Sequence, residues 1–113
     1  MAIKKYIPER GDLIYIDFDP TFGHEQKGRR PALVLSKNSY NQISGLCLTV
    51  PITSKIKGYS FEVLLSTRLK TKGVVLSDQI KSFAWEERNT EFLEKVSKDV
   101  LDEVCAKAKT FFE

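Results

Sequence analysis

The sequence predicts a small β-barrel with one helix appended at its C-terminal end. Three observations carry this: five to seven short β-rich runs at close spacing, a change to helical period after residue 97, and no repeat or linker between them. The first run, Asp12-Leu-Ile-Tyr-Ile-Asp-Phe-Asp19, lies between Gly11 and Pro20 and reads as a strand. Its Ile14, Ile16 and Phe18 alternate with Leu13, Tyr15 and Asp17, which predicts one buried face. Pro31–Ser36 and Leu46–Thr53 follow as strands, and Pro51, which cannot donate to a ladder, suggests an edge or a bulge. Phe61–Leu65, Val74–Leu76 and Ile80–Ala84 continue the series, with a last short strand around Phe92–Val96. Beyond them Val100, Leu101, Val104, Cys105, Ala108, Phe111 and Phe112 recur at three- and four-residue steps behind Ser97, a capping residue. That is an amphipathic helix packed on a sheet.

A chain of 113 residues fits a single domain, 1–113, and buries roughly two-thirds of its unfolded surface. With 42% apolar residues it can build an ordinary core, so disorder is not expected. The longest uninterrupted apolar run is Ala32–Leu35, far short of the ~20 residues that cross a bilayer. Met1-Ala-Ile-Lys-Lys-Tyr6 has no apolar signal core, and a cytoplasmic protein is expected. Cys47 and Cys105 sit in apolar surroundings without a metal-ligand pattern and read as reduced, packed residues. His24 is the only histidine, which removes zinc-hydrolase, paired-histidine ribonuclease and haem readings. The net charge of +3 is uneven: residues 1–58 carry +4 and residues 59–113 carry −1. An anionic partner would dock on the first half.

Two segments hold the residue types that chemistry needs. Pro20-Thr-Phe-Gly-His-Glu-Gln-Lys-Gly-Arg-Arg30 is too long and polar for a simple hairpin turn. Both a solvated charged tip and an anion-binding loop fit its composition. In favour of the second, Arg30 precedes Pro31 and is pushed toward an extended conformation, a stiff mount for a guanidinium that forks onto phosphate oxygens. Arg29 would point the other way, toward binding or exposure. Thr53-Ser54 stands where a chain leaves the sheet, and its hydroxyls either bond a phosphate oxygen or cap the next turn. Asn38, Tyr40 and Asn41 offer amides and a ring to bases, and are also ordinary loop residues.

Taken in order, Gly11-Asp-Leu-Ile14, Asp17-Phe-Asp-Pro20, Gly23-His-Glu-Gln26, Arg30-Pro-Ala32, Val50-Pro-Ile-Thr53 and Asp78-Gln-Ile-Lys-Ser82 resemble the MazF/PemK toxins of bacterial toxin–antitoxin systems. The resemblance runs from about Tyr6 to Trp85, and residues 86–113 match in kind only, as a polar connection and a closing helix. It implies an SH3-like (CcdB/PemK-like) barrel that forms a homodimer. The implied activity is sequence-specific cleavage of single-stranded mRNA, with no metal and no cofactor. The products are a 2′,3′-cyclic phosphate (or 3′-phosphate) and a 5′-hydroxyl. Arg30 and Thr53 become the catalytic pair, with Glu25 in the same site and His24 a further candidate for acid or base. Lys27, Arg29, Asn41, Ser54 and Gln79 are the expected RNA contacts. The second expected partner is a cognate antitoxin whose acidic, disordered tail folds into the RNA groove.

RNA supplies its own nucleophile, the 2′-hydroxyl, so such an enzyme needs neither a serine nor a cysteine. Arg30 would stabilise the charge that builds on phosphorus, and Thr53 would hold a phosphate oxygen in line. The rival from another class is a gyrase poison, similar to CcdB, on the same barrel. It needs a Trp-Gly-Ile-like tail, whereas this chain ends Lys109-Thr-Phe-Phe-Glu113. A non-catalytic SH3-like binding module is the third reading.

Overall fold

A computed structural model of the chain, which describes residues 5–18 and 28–113, shows seven strands and two helices there. The strands are β1 (Asp12–Asp17), β2 (Arg29–Val34), β3 (Leu46–Thr53), β4 (Glu62–Leu64), β5 (Val74–Leu76), β6 (Lys81–Ala84) and β7 (Glu91–Lys95). Helix α1 (Asn38–Ser44) separates β2 from β3, and α2 (Lys98–Lys109) closes the chain. Every pairing is antiparallel, in the order β4-β5-β3-β2-β1-β7 with β6 also on β3. Among the described residues β4 and β7 do not pair, so the sheet is barrel-like without closing.

The architecture is mainly β with a C-terminal helix, as the sequence implies, and the differences are local. β1 buries its Ile14 and Ile16 face, and on the opposite face Leu13 as well. Ile14 and Ile16 pack with Ala32, Val34, Cys47, Phe83 and Trp85, while Leu13 packs with Leu33, Val50, Val75 and Val104 on the other side. The expected buried face is thus present, and burial spreads to the other side only at Leu13, under α2 and the β4–β5 hairpin, while Tyr15 and Asp17 stay half-buried. Pro51 is not on an edge. β3 pairs with β2 along one side, and on the other with β6 through Leu46–Thr49 and with β5 through Ile52–Thr53. Pro51 falls in the gap between those two ladders, where a missing N–H costs nothing.

Ser97 does cap α2: its Oγ accepts a hydrogen bond from the Val100 N–H at 3.3 Å. Phe111 and Phe112 leave the apolar stripe, lying in a 3₁₀ turn over Thr110–Phe112 at 55% and 71% exposure. The segment 37–45, read as a loop, holds α1. It has no side-chain cap at Lys37 and ends at Gly45 with φ 74°. Its anchor is tertiary: Asn41 is fully buried, and its carbonyl accepts from both Gly45 N–H and Trp85 Nε1.

Cys47 and Cys105 are free thiols, as expected, with Cys47 fully buried. Burial pushes the Cys47 thiol up from 9.0 to about 12. A raised folded-state value means stability is intact below about 9 and is lost as pH climbs toward 12. Cys47→Ala should therefore show a flatter alkaline stability curve than the parent when urea midpoints are compared from pH 8 to 11. Parallel curves would show that the thiol stays out of this linkage.

Candidate nucleic-acid interface

β2 and β3 run side by side with Ala32 opposite Pro51, Leu33 opposite Val50 and Val34 opposite Thr49. Beyond that short ladder lie Arg30 on β2 and Thr53 at the end of β3, and both line one cavity of about 220 Å³. Arg30 is exposed on the strand end, held through its own backbone pairing with Ile16 of β1. Thr53 is half-buried where β3 pairs with Val74 of β5. Its Oγ1 accepts from the Lys55 N–H at 3.2 Å, so the turn-capping contact exists, and the hydroxyl proton stays available to a ligand oxygen.

Lys55, Lys57, Tyr59 and Gln79 complete the working rim of this cavity. Arg30, Lys55 and Lys57 face one carboxylate, Glu62, whose oxygens accept from the Lys57 and Gly58 N–H groups at 3.3 and 3.0 Å. Among the described residues none of the three cations forms an ion pair. Among the described residues the cavity lining is therefore electropositive, with the one acid there, Glu62, spent on shaping the 57–62 turn. Tyr59, 53% exposed, stacks on Phe61 with ring centroids 5.1 Å apart and planes 18° off parallel. This shelf was missed in the sequence, where the interleaved Lys55-Ile-Lys57-Gly-Tyr59-Ser-Phe61 was the available signal.

The other expected site residues divide. Gln79 lies on the rim and is exposed. Ser54 is exposed next to Thr53 without lining the cavity. His24, Glu25 and Lys27 lie outside the described residues. Two assignments need correction. Asn41 cannot read a base: its Nδ2 donates to Pro8 O and Ser36 O at 2.8 and 3.1 Å, and its Oδ1 accepts from Ser36 Oγ at 2.5 Å. Arg29 is not a free cation either. Its guanidinium donates to Asp17 Oδ1, the Asn89 carbonyl and Glu91 Oε1 at 3.1, 2.8 and 3.0 Å, and lies 4.5 Å above the Tyr15 ring. It pins β2 to β1 and to the turn before β7.

Arg29→Ala should accordingly cost about 1–2 kcal/mol of stability, from the lost charged hydrogen bonds and ring contact. Thermal melts measure that cost, and the salt dependence of RNA binding should stay as in the parent. A slope lower by about one unit would return Arg29 to the phosphates.

A wider groove, about 680 Å³, lies along Tyr6, Ile7, Thr90, Phe92 and the buried Asp12. It offers no free chemistry, since Asp12 accepts from Tyr6 Oη, the Glu9 N–H and Lys95 Nζ. Burial, and then the bond to Asp12, holds the Tyr6 hydroxyl above its ordinary range.

An open antiparallel sheet with an arginine and a threonine brought together in a cationic, aromatic-edged cavity defines a small β protein suited to an extended polyanion. The chain belongs to the family of PemK-like, MazF-like toxins of type II toxin–antitoxin systems, whose model matches residues 9–112. It is 49% identical over 105 residues to the endoribonuclease toxin MazF of Escherichia coli strain K12, covering 93% of this chain and 94% of that one. Over 95% of its length it superposes on the crystal structure of MazF from Deinococcus radiodurans, with a TM-score of 0.87, 47% identity and 97% of that chain covered. A MazE–MazF complex from the same organism matches with a TM-score of 0.85 and 42% identity, covering 95% of this chain and 96% of that one.

Proposed function

We propose that this chain is a sequence-specific, metal-independent endoribonuclease toxin that cleaves single-stranded mRNA and is neutralised by a cognate antitoxin. The observation that carries the reading is the convergence of Arg30 and Thr53, distant in sequence, on one electropositive cavity. Relatives named as endoribonucleases, at 49% and 33% identity, support the activity, and no relative favours a gyrase poison.

In this reading the scissile phosphate sits between Arg30 and Thr53. The 2′-hydroxyl loses its proton and attacks phosphorus, the bond to the 5′-oxygen breaks, and that oxygen takes up a proton. The products are a 2′,3′-cyclic phosphate and a 5′-hydroxyl. Arg30 donates hydrogen bonds to the nonbridging oxygens as charge accumulates, and Thr53 fixes one of them in the attack geometry. Glu25 and His24 are the two groups proposed to move the protons. Gln79, Ser54 and Lys27 contact the RNA, together with Lys55 and Lys57 along the backbone and Tyr59 beneath a base. The antitoxin supplies an acidic, disordered tail that competes for the same cations. The MazE–MazF match supports such a partner.

The active form is a homodimer. Leu48, Ile80 and Phe112 meet in an apolar groove of about 320 Å³ beside α2, and the first two are 37% and the third 71% exposed. A second copy placed across a two-fold axis would cover this face with its own equivalent. The setting is the cytoplasm. Among the described residues no helix is long and apolar enough to cross a membrane.

The deciding experiment digests one long RNA in excess EDTA and maps the new ends, with supercoiled DNA and gyrase in a parallel tube. Cleavage at a short recurring motif, leaving 5′-hydroxyl ends, is expected, from a species that light scattering sizes as a dimer. Activity that disappears with EDTA and returns with Mg²⁺, or damage confined to the gyrase tube, would overturn the reading.

A further inference from the structure

We propose that Gly73 is the positioning residue for Thr53: the absence of a side chain at 73 sets where the Thr53 hydroxyl stands relative to Arg30. This rests on the reading of Thr53 as a group that holds the phosphate.

Gly73 immediately precedes β5, whose first residue, Val74, pairs with Thr53. Its φ of 121° belongs to a region that L side chains rarely adopt. A Cβ built there would stand 2.1 Å from the Thr53 carbonyl oxygen, 2.8 Å from its carbonyl carbon and 3.1 Å from Ser54 Cα. All three are backbone atoms, so no flexible side chain can swing away. Nor can Gly73 retreat freely, because its carbonyl accepts from the Leu65 N–H at 3.0 Å, beside the β4 end. The element that yields to a Cβ is thus the Thr53–Ser54 segment. That segment also carries the Thr53 Oγ1 contact to the Lys55 N–H, and Thr53 itself lines the cavity. The other glycines with positive φ differ: a Cβ at Gly45 or Gly58 meets nothing within 4 Å, and at Gly11 only a leucine methyl at 3.6 Å. Among these four glycines, close backbone approach is confined to the one beside Thr53.

The test is a double-mutant cycle. Single-turnover cleavage at saturating RNA is compared for the parent, Thr53→Ala, Gly73→Ala and the double variant. A displacement of about 1 Å at a reacting group costs on the order of 10²-fold, and that is the loss expected for Gly73→Ala in the parent background. In the Thr53→Ala background the same change should cost less than about twofold, since the group it positions is gone. A second readout is independent of how much variant folds: the preference between the two phosphorothioate stereoisomers at the scissile phosphate, a ratio of rates within one preparation. It should collapse in Thr53→Ala and in Gly73→Ala alike. Equal losses in both backgrounds, or an unchanged stereoisomer preference in Gly73→Ala, would overturn the proposal and leave Gly73 a general fold residue. Wild-type cleavage by Thr53→Ala would instead remove Thr53 from the site, and the positioning role would fall with it.

Discussion

Arg30→Ala should cleave a short RNA two to three decades more slowly than the parent at saturation, a barrier increase of about 3–4 kcal/mol, while melting as the parent does. The side chain is exposed at the end of β2, and the backbone pairing with Ile16 survives its removal. Truncation therefore opens no core cavity, and surface changes of this kind usually alter stability by less than ~0.5 kcal/mol. RNA affinity should fall less than the rate, because Lys55 and Lys57 still meet the phosphates on the same rim. Single-turnover kinetics, equilibrium binding to a 2′-deoxy analogue and thermal melts separate the three effects. Wild-type cleavage at saturation would make Arg30 a docking residue and undo the catalytic assignment.

Asn41→Ala should behave in the opposite way, losing stability and keeping its activity per folded molecule. The substitution strips three side-chain hydrogen bonds and leaves Pro8 O, Ser36 O and Ser36 Oγ short of a partner inside the protein. At about 1–3 kcal/mol for each buried polar group left wanting, partly relieved by relaxation, a loss of about 3–5 kcal/mol is expected. In a domain of this size that lowers the melting temperature by about 10–20 °C. Trp85 Nε1 keeps its bond, which goes to the backbone carbonyl of residue 41. Calorimetry paired with cleavage assays well below the transition measures both sides. A variant that melts normally but binds RNA poorly would restore Asn41 as a base contact.

Arg29 and Arg30 show how neighbouring residues of one type part company. Extended backbone sends successive side chains to opposite faces, so their divergence is readable from Arg29-Arg30-Pro31 alone. Which of them meets acids is not. Asp17 lies one strand away, and Asn89 and Glu91 arrive from the far end of the chain. The stacked Tyr59–Phe61 shelf was equally hidden, because a Tyr-Ser-Phe spacing gains meaning only once the turn faces Arg30 and Thr53.

What the sequence determined by itself is whatever short-range periodicity and local chemistry encode. It set β3 as Leu46–Thr53 and α2 behind its Ser97 cap, and it pointed to Arg30 and Thr53 through a resemblance in ordered motifs. Tertiary structure decided the rest. It buried Leu13 on the second face of β1, placed Pro51 between two ladders, and made a helix of 38–44 around the buried amide of Asn41. It also brought Arg30 and Thr53 to one cavity and pressed Gly73 against the Thr53 backbone. The physical reason is range. Alternation and capping act over a few residues, whereas register, burial of a polar side chain and the approach of two backbones depend on partners the chain reaches only by folding.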